Sequence, residues 1–309
     1  LFYFEKKDFG GKMKGKLVTA MSKNREVRIY VAQTTEMVEK ARVTHDLTPI
    51  STSALGRVIT AAAMMGMMSK IDKEKITLQI KGSNTIKLMV AIADTHGNVK
   101  AYTSHPQAET IYDASGKLAV GTAVGKEGQI IVIKDYGMKE PFIGQCNLVS
   151  GEIAEDVAQY FVKSEQQPTA VSIGVSLSNQ AKVNYAGGFI VQILPETSEE
   201  TIGQLEANLT ALPPLTQFFE EGLDIMQIAN QVFAGLGLDE LETYDLNYQC
   251  DCSREKMENA LISLGKNEIE EMIETDGAAN LVCHFCNKNH HFTKDDLSLL
   301  IEPENENLS

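Results

Sequence analysis

Four cysteines near the end of the chain constrain its fold more than any other feature. "QCDCSRE" carries Cys250 and Cys252, and "VCHFCNK" carries Cys283 and Cys286. Thirty residues separate Cys252 from Cys283, and only one other cysteine, Cys146, occurs among the 309 residues. Two close pairs at this spacing can form a tetrahedral four-thiolate zinc site. A tail unit of roughly 60 residues is marginal as an independent fold, and metal binding supplies folding free energy directly. The expectation is one Zn2+ per chain on Cys250, Cys252, Cys283 and Cys286. With every ligand from protein, no position remains for a hydrolytic water. His284, His290 and His291 lie close in sequence, and are read as surface or neighbouring groups rather than ligands.

Charge and hydropathy narrow the function. The net charge is −14, which opposes contact with a phosphate backbone. From Asp251 to Ser309 there are 13 Asp and Glu against 5 Lys and Arg, so a nucleic-acid-binding zinc ribbon is not expected. The longest apolar stretch, "VITAAAMMGMM" from Val58, falls short of the roughly 18 to 20 residues a membrane helix needs. "LFYFEKKDFGGKMKGKL" at the start has charges where a secretion signal would be apolar. Those first dozen residues begin at Leu1 rather than Met and are set aside from the fold argument. A cytoplasmic, reducing setting is expected, where paired cysteines read as metal or redox sites.

The pattern before the tail predicts an α+β chain of three parts: a mixed sheet-and-helix domain over 13–195, an amphipathic helical linker over 196–243, and a small zinc-binding domain over 244–309. In the first part, "KLVTAMSKNREVRIYVAQTT" reads as a strand pair turning at Lys23-Asn24. Helices are expected over 34–46, over 51–70 with Ser51 as cap, and over 150–164 with Ser150 as cap. Strands are expected from Lys75, Ile86, Asn98 and Gly128, after Pro168, and through "NYAGGFIVQILPE", where Gly187-Gly188 marks a bulge or a close backbone approach. In the linker, Ile202, Leu205, Leu209 and Leu212 share one helical face, and Phe218, Phe219, Ile228, Val232 and Phe233 follow the Pro213-Pro214 break. Such faces either pack on the main domain or become exposed under some condition. In the tail, helices are expected after Ser253, near Asn267 and after Thr293.

The cysteine set has a structural reading and a regulatory one. A four-thiolate site can be a simple clamp. Against stopping there, a disulfide within C-x-C closes a very small, strained ring, and strained disulfides tend to be labile or regulatory. Zinc-bound thiolates stay open to oxidants, and a domain folded by its metal unfolds when the metal leaves. A thiol–disulfide oxidoreductase is the competing reading of C-H-F-C, but it leaves the C-x-C pair idle and lacks the strand and helix of a thioredoxin unit. No phosphate-binding loop, nucleophile elbow, zinc-protease motif or dinucleotide fingerprint occurs in the main domain. An enzyme is therefore not expected. Cys146, in "FIGQCNLV", is read as a buried inert thiol.

"CDCSRE" with "VCHFC" resembles the redox-regulated heat-shock chaperone family of about thirty-three kilodaltons, as do "ALGR" (54–57), "YFVKSEQQPT" (160–169) and "AGGFIVQILP" (186–195). The resemblance runs from about residue 14 to about 300. It implies a cytoplasmic holdase rather than an enzyme, zinc-bound and inactive when reduced. It also implies that oxidation joins Cys250 to Cys252 and Cys283 to Cys286, releases zinc and loosens tail and linker. The protein would then hold unfolding clients, commonly as a homodimer, and pass them to ATP-driven foldases, with no role for nucleic acid or membrane. By position and apolarity, Ile202, Leu205, Leu209, Phe218, Phe219, Ile228, Val232 and Phe233 are the candidate client contacts. Their exposure on activation is an inference from pattern, since large apolar patches mark interaction surfaces.

Overall fold

The computed structural model describes residues 14–69 and 71–301. The opening dozen residues, the expected domain start at 13, the expected helix end at Lys70 and the chain end therefore lie outside the described residues. The chain divides into two units, the first ending at Gln249 and the second starting at Cys250.

Ten strands of the first unit form one sheet: β1 (Lys14–Ser22), β2 (Val27–Gln33), β3 (Lys75–Lys81), β4 (Leu88–Asp94), β5 (Asn98–Thr103), β6 (Gln129–Asp135), β7 (Phe142–Asn147), β8 (Thr169–Leu177), β9 (Val183–Ile193) and β10 (Leu238–Tyr248). Their order across the sheet is β7-β6-β3-β4-β5-β10-β1-β2-β9-β8. Neighbours run antiparallel except β5 and β10, which pair in parallel at Asn98–Asn247 and Val99–Tyr248. Among the described residues this unit also has seven helices: α1 (Thr35–His45), α2 (Pro49–Gly66), α3 (Val120–Val124), α4 (Ala154–Ser164), α5 (Glu199–Ala211), α6 (Leu215–Glu220) and α7 (Ile225–Val232).

Both faces of the β1-β2-β9 region are covered. On β2, Tyr30 and Ala32 face a core shared with the apolar helix α2, while Val27, Ile29 and Val31 face a second core. Alternate side chains of a strand point to opposite faces, so a strand buried on both sides reads as a nearly continuous apolar run. α2 is buried along almost its whole length, as its methionine- and alanine-rich sequence predicts. The second core is closed by α5, α6 and α7, which bring Leu205, Phe218, Phe219, Ile228, Val232 and Phe233 against β1, β2 and β9. α6 and α7 have 6 and 8 residues, well short of the roughly 12 to 15 an isolated helix needs. Docking, not propensity, keeps them helical.

Several expectations shift. α2 begins after Thr48 with Pro49 in its first turn, because proline's missing N–H costs nothing there. Ser51 is already inside the helix, where its hydroxyl donates to the His105 carbonyl at 2.9 Å. α4 starts at Ala154, not at Ser150. Its start is organised by the buried Asp156 carboxylate, which accepts N–H groups of Val149 at 2.7 Å, Ser150 at 3.1 Å and Ile153 at 2.9 Å. Gly187 is a close approach rather than a bulge: its pairing with both neighbouring strands is regular. A Cβ there would stand 2.5 Å from the Ala32 carbonyl oxygen and from the Phe219 ring. The expected boundary at residue 244 falls inside β10, where Tyr244 pairs with Leu17 of β1 and Leu246 with Gly15. Residues 244–249 thus belong to the main unit, and the region after 237 is strand rather than helical linker.

The second unit contains α8 (Arg254–Leu264), α9 (Lys266–Thr275), β11 (Ala278–Val282), β12 (Asn289–Thr293) and α10 (Lys294–Ile301). β11 and β12 make an antiparallel hairpin, from Ala278–Thr293 to Val282–Asn289. Its core is one small cluster: Leu261, Ile269, Ala279, Phe292 and Leu297. The Ser253 hydroxyl accepts the Lys256 N–H at 3.2 Å, as the sequence predicts for an N-cap. Thr293 caps α10 in the same way: its hydroxyl takes the Asp296 N–H at 3.2 Å, and the Asp296 carboxylate takes the Thr293 N–H at 2.8 Å.

Candidate metal centre

Residues 283–288 form the loop that closes the β11–β12 hairpin. The Cys283 N–H donates to the Lys288 carbonyl at 3.0 Å, and the Cys283 carbonyl accepts from Asn287 at 2.8 Å and Cys286 at 3.3 Å. This folds the C-x-x-C segment into a tight turn, with Asn287 in the left-handed region at φ +57°, which asparagine tolerates well. The C-x-C segment lies between the end of β10 and the start of α8. Arg254, just beyond it, fastens it to the hairpin. Its guanidinium sits 4.4 Å over the Phe292 ring, donates to the His291 carbonyl at 2.9 Å and pairs with Asp296 at 2.8 Å. Lys256 ties back to the Asp251 carboxylate at 2.6 Å and its carbonyl at 2.9 Å.

These loops bring the four thiols together. The sulfurs of Cys250, Cys252, Cys283 and Cys286 all lie within 4.8 Å of one another. Cys250 Sγ is 3.7 Å from Cys283 Sγ, and Cys252 Sγ is 3.5 Å from Cys286 Sγ. No sulfur is in a disulfide. Metal–sulfur bonds of about 2.3 Å in a tetrahedron put sulfurs about 3.8 Å apart. The spacing therefore fits a metal ion held by four thiolates. Burial pushes the Cys250 and Cys252 thiols up. Cys283 is also buried, but the Phe285 N–H and the neighbouring thiols outweigh this and hold it below the ordinary thiol range. Four crowded thiols cannot all ionise without a compensating cation, which is the role a metal fills.

The histidines stay outside this set. His291 bonds Asn280 across the hairpin at 2.9 Å, His284 is exposed, and His290 is buried with its Nε2 unpartnered. A β-strand rather than a helix follows C-H-F-C, unlike a thioredoxin active site. Cys146 on β7 is half-buried rather than buried. Its thiol is pushed up by burial and by the nearby Asp156 charge, so little of it is thiolate and it remains poorly reactive. Arg254 is the contributor that residue spacing alone did not single out, although it lies inside the "CDCSRE" stretch that carries the family resemblance. Of the linker residues named as client contacts, Leu205, Phe218, Phe219, Ile228, Val232 and Phe233 are buried. Leu209 packs against the same core partly buried, and Ile202 is half-buried.

The family model described as Hsp33 protein matches residues 15–293. The chain belongs to the Hsp33 family. It is 45% identical over 290 residues to the 33 kDa chaperonin of Alkaliphilus metalliredigens, covering 94% of this chain and 99% of that protein. With the 33 kDa chaperonin of Clostridium perfringens it shares 42% over 298 residues, covering 96% of this chain and 93% of that one. The crystal structure of the 33 kDa chaperonin (heat shock protein 33 homolog) of Thermotoga maritima superposes with a TM-score of 0.85 at 36% identity, covering 92% of this chain and 97% of that one. The α+β fold is thus that of the Hsp33 chaperone family, and the four-cysteine cluster fits a redox-regulated zinc site. No helix among the described residues is long and apolar enough to cross a membrane.

Proposed function

We propose that this Hsp33 protein is a cytoplasmic, non-enzymatic holdase switched by oxidation of its four-cysteine centre. The observation that carries the reading is the cluster itself: four disulfide-free sulfurs within 4.8 Å of one another, in a unit whose apolar core is five side chains. Zinc is the metal best suited to a four-sulfur tetrahedral set; when bound, it holds the sulfurs as thiolates and adds folding free energy to the unit. Cys250, Cys252, Cys283 and Cys286 are then both ligands and sensors.

A peroxide-class oxidant takes two electrons from each pair of thiolates. Each pair becomes one disulfide, Cys250–Cys252 and Cys283–Cys286, while the peroxide takes two protons from solvent and leaves as water. This within-pair connection follows the family resemblance; the sulfurs across the pairs stand 3.7 Å apart for Cys250 with Cys283 and 3.5 Å apart for Cys252 with Cys286. Oxidation removes the ligands, so the second unit loses its metal and its order. Loss of the short docked helices α6 and α7, with α5, then uncovers Leu205, Phe218, Phe219, Ile228, Val232 and Phe233 for unfolding clients, with Ile202 and Leu209 beside them. The active form is a homodimer, and clients pass on to ATP-driven foldases.

Light scattering of an unrelated protein unfolding by heat tests this. Suppression of aggregation by warm, peroxide-treated protein, and not by the reduced, zinc-loaded form, is expected. Equal suppression in both states would remove the switch, and none in either would reduce the centre to a structural clamp.

A further inference from the structure

An open cavity of about 780 Å3 runs along the outer edge of β8 on the main unit. Among the described residues, β8 ends the sheet and pairs with β9 alone. Such an edge offers every second backbone N–H and C=O to an incoming strand. The cavity is bounded by residues 172–178 of β8 and its turn, by Ser53 and Arg57 from α2, and by Lys117 from the loop before α3. The first residues of α6 form part of its rim.

Two polar groups in this wall have unmet demands. Ser53 is 1% exposed and its hydroxyl has no hydrogen-bond partner among the described residues. The next turn of α2 carries Arg57. Its Nη1 is taken by Glu152, through the carbonyl at 3.1 Å and an ion pair with the carboxylate, while its buried Nε has no partner among the described residues. Buried donors are nearly always satisfied in folded proteins, so a pair of orphans on one cavity wall points to a missing acceptor. The lining also has a clear sign of charge. Among the described residues it includes Lys117, and Arg57 with its Glu152 partner behind it, and no Asp or Glu lines it, in a chain whose net charge is −14.

We propose that the β8 edge binds an extended segment of another polypeptide as an added strand, with a carboxylate side chain of that segment set against Arg57, Lys117 and the Ser53 hydroxyl. Main-chain hydrogen bonds along an edge give affinity without sequence preference, and the cationic wall adds a preference for acidic residues. That the segment comes from an unfolding client rests on the holdase reading above; the site itself rests on the cavity, the orphaned donors and the charge.

The probe is a nine-residue peptide, the length of β8, of alternating Val and Thr with Asp at its centre, acetylated, amidated and fluorescently labelled. Its anisotropy is followed with the reduced, full-length protein at low salt, against the same peptide with Lys at its centre. The Asp peptide should bind about tenfold more tightly, and its binding should protect β8 amides from exchange. Lys117→Glu should abolish the preference. Ser53→Ala should weaken binding several-fold yet leave the melting temperature unchanged or higher, since it removes an unpartnered hydroxyl. No binding, equal binding of both peptides, or binding untouched by both variants would overturn the site. Aggregation suppression by the oxidised protein is scored separately. A chaperone that ignores the Asp peptide loses this site and keeps its function, whereas peptide binding without aggregation suppression keeps the site and removes the holdase reading.

Discussion

In the first unit, two apolar clusters sandwich the sheet, and side chains such as Leu55, Ile59, Met64 and Phe233 are at most 1% exposed. Residues 250–301 gather five buried apolar side chains, Phe292 among them, beside four thiols that cannot ionise together without a cation. One region is held by the burial of apolar surface, which depends on solvent and temperature. The other depends on the chemical state of four sulfur atoms. Under the proposed switch, a single chain loses one region and keeps the other on oxidation or metal loss rather than on heating. The helices α5 to α7 stand between these cases: they are held by apolar burial, yet α6 and α7 are too short to survive undocked.

The comparison breaks most directly at the metal centre. Structural zinc is worth about 10–16 kcal/mol in small domains, far more than one small core supplies. A Cys283→Ser/Cys286→Ser variant should therefore lose tight one-to-one zinc, and protease should remove the tail while the sheet unit survives. Zinc retained at one per chain, or an unchanged digestion pattern, would contradict this.

A smaller effect should separate the two cores of the main unit. Phe233→Ala removes an aromatic ring from beneath the short helices and should cost about 3–5 kcal/mol, with aggregation suppression appearing without oxidant. Leu55→Ala, in the core on the opposite face, should cost about 2–5 kcal/mol and lower the melting temperature without that gain. Equal activity in the two variants would mean that the helical cover has no special role.

The smallest change is expected at Arg254, whose contacts are half-exposed. Arg254→Ala should cost about 1 kcal/mol, from the ion pair and the ring contact. It should speed zinc loss to a chelator and leave the melting of the sheet unit unchanged. No change in chelation rate would assign the arginine to solvation alone.

What the sequence discloses follows the range of the interaction. The four-cysteine cluster is legible because each pair is local, and because thiols are scarce in the rest of the chain. The caps at Ser253 and Thr293 are legible for the same reason. Ser150 misleads because a buried carboxylate farther along, Asp156, takes the Ile153 N–H and leaves the Ser150 hydroxyl only the Glu152 N–H. β10 is hidden by its composition. "LDELETYDLNY" is rich in Asp and Glu, which disfavour strands, and only its partners β1 and β5 make it one. The linker's amphipathic faces are visible by spacing, but not the surface that covers them, because Phe219 reaches its place only where Gly187 leaves room.

Amide hydrogen exchange, read by mass spectrometry on the full chain before and after peroxide treatment, decides whether oxidation unfolds the tail and the helical cover together. In the reduced, zinc-loaded protein, residues 199–232 and 250–301 should be protected along with the sheet. After oxidation and zinc release both segments should exchange within the shortest labelling time, while β1 to β9 keep their protection. Oxidised, zinc-free protein with both segments still protected would contradict the account.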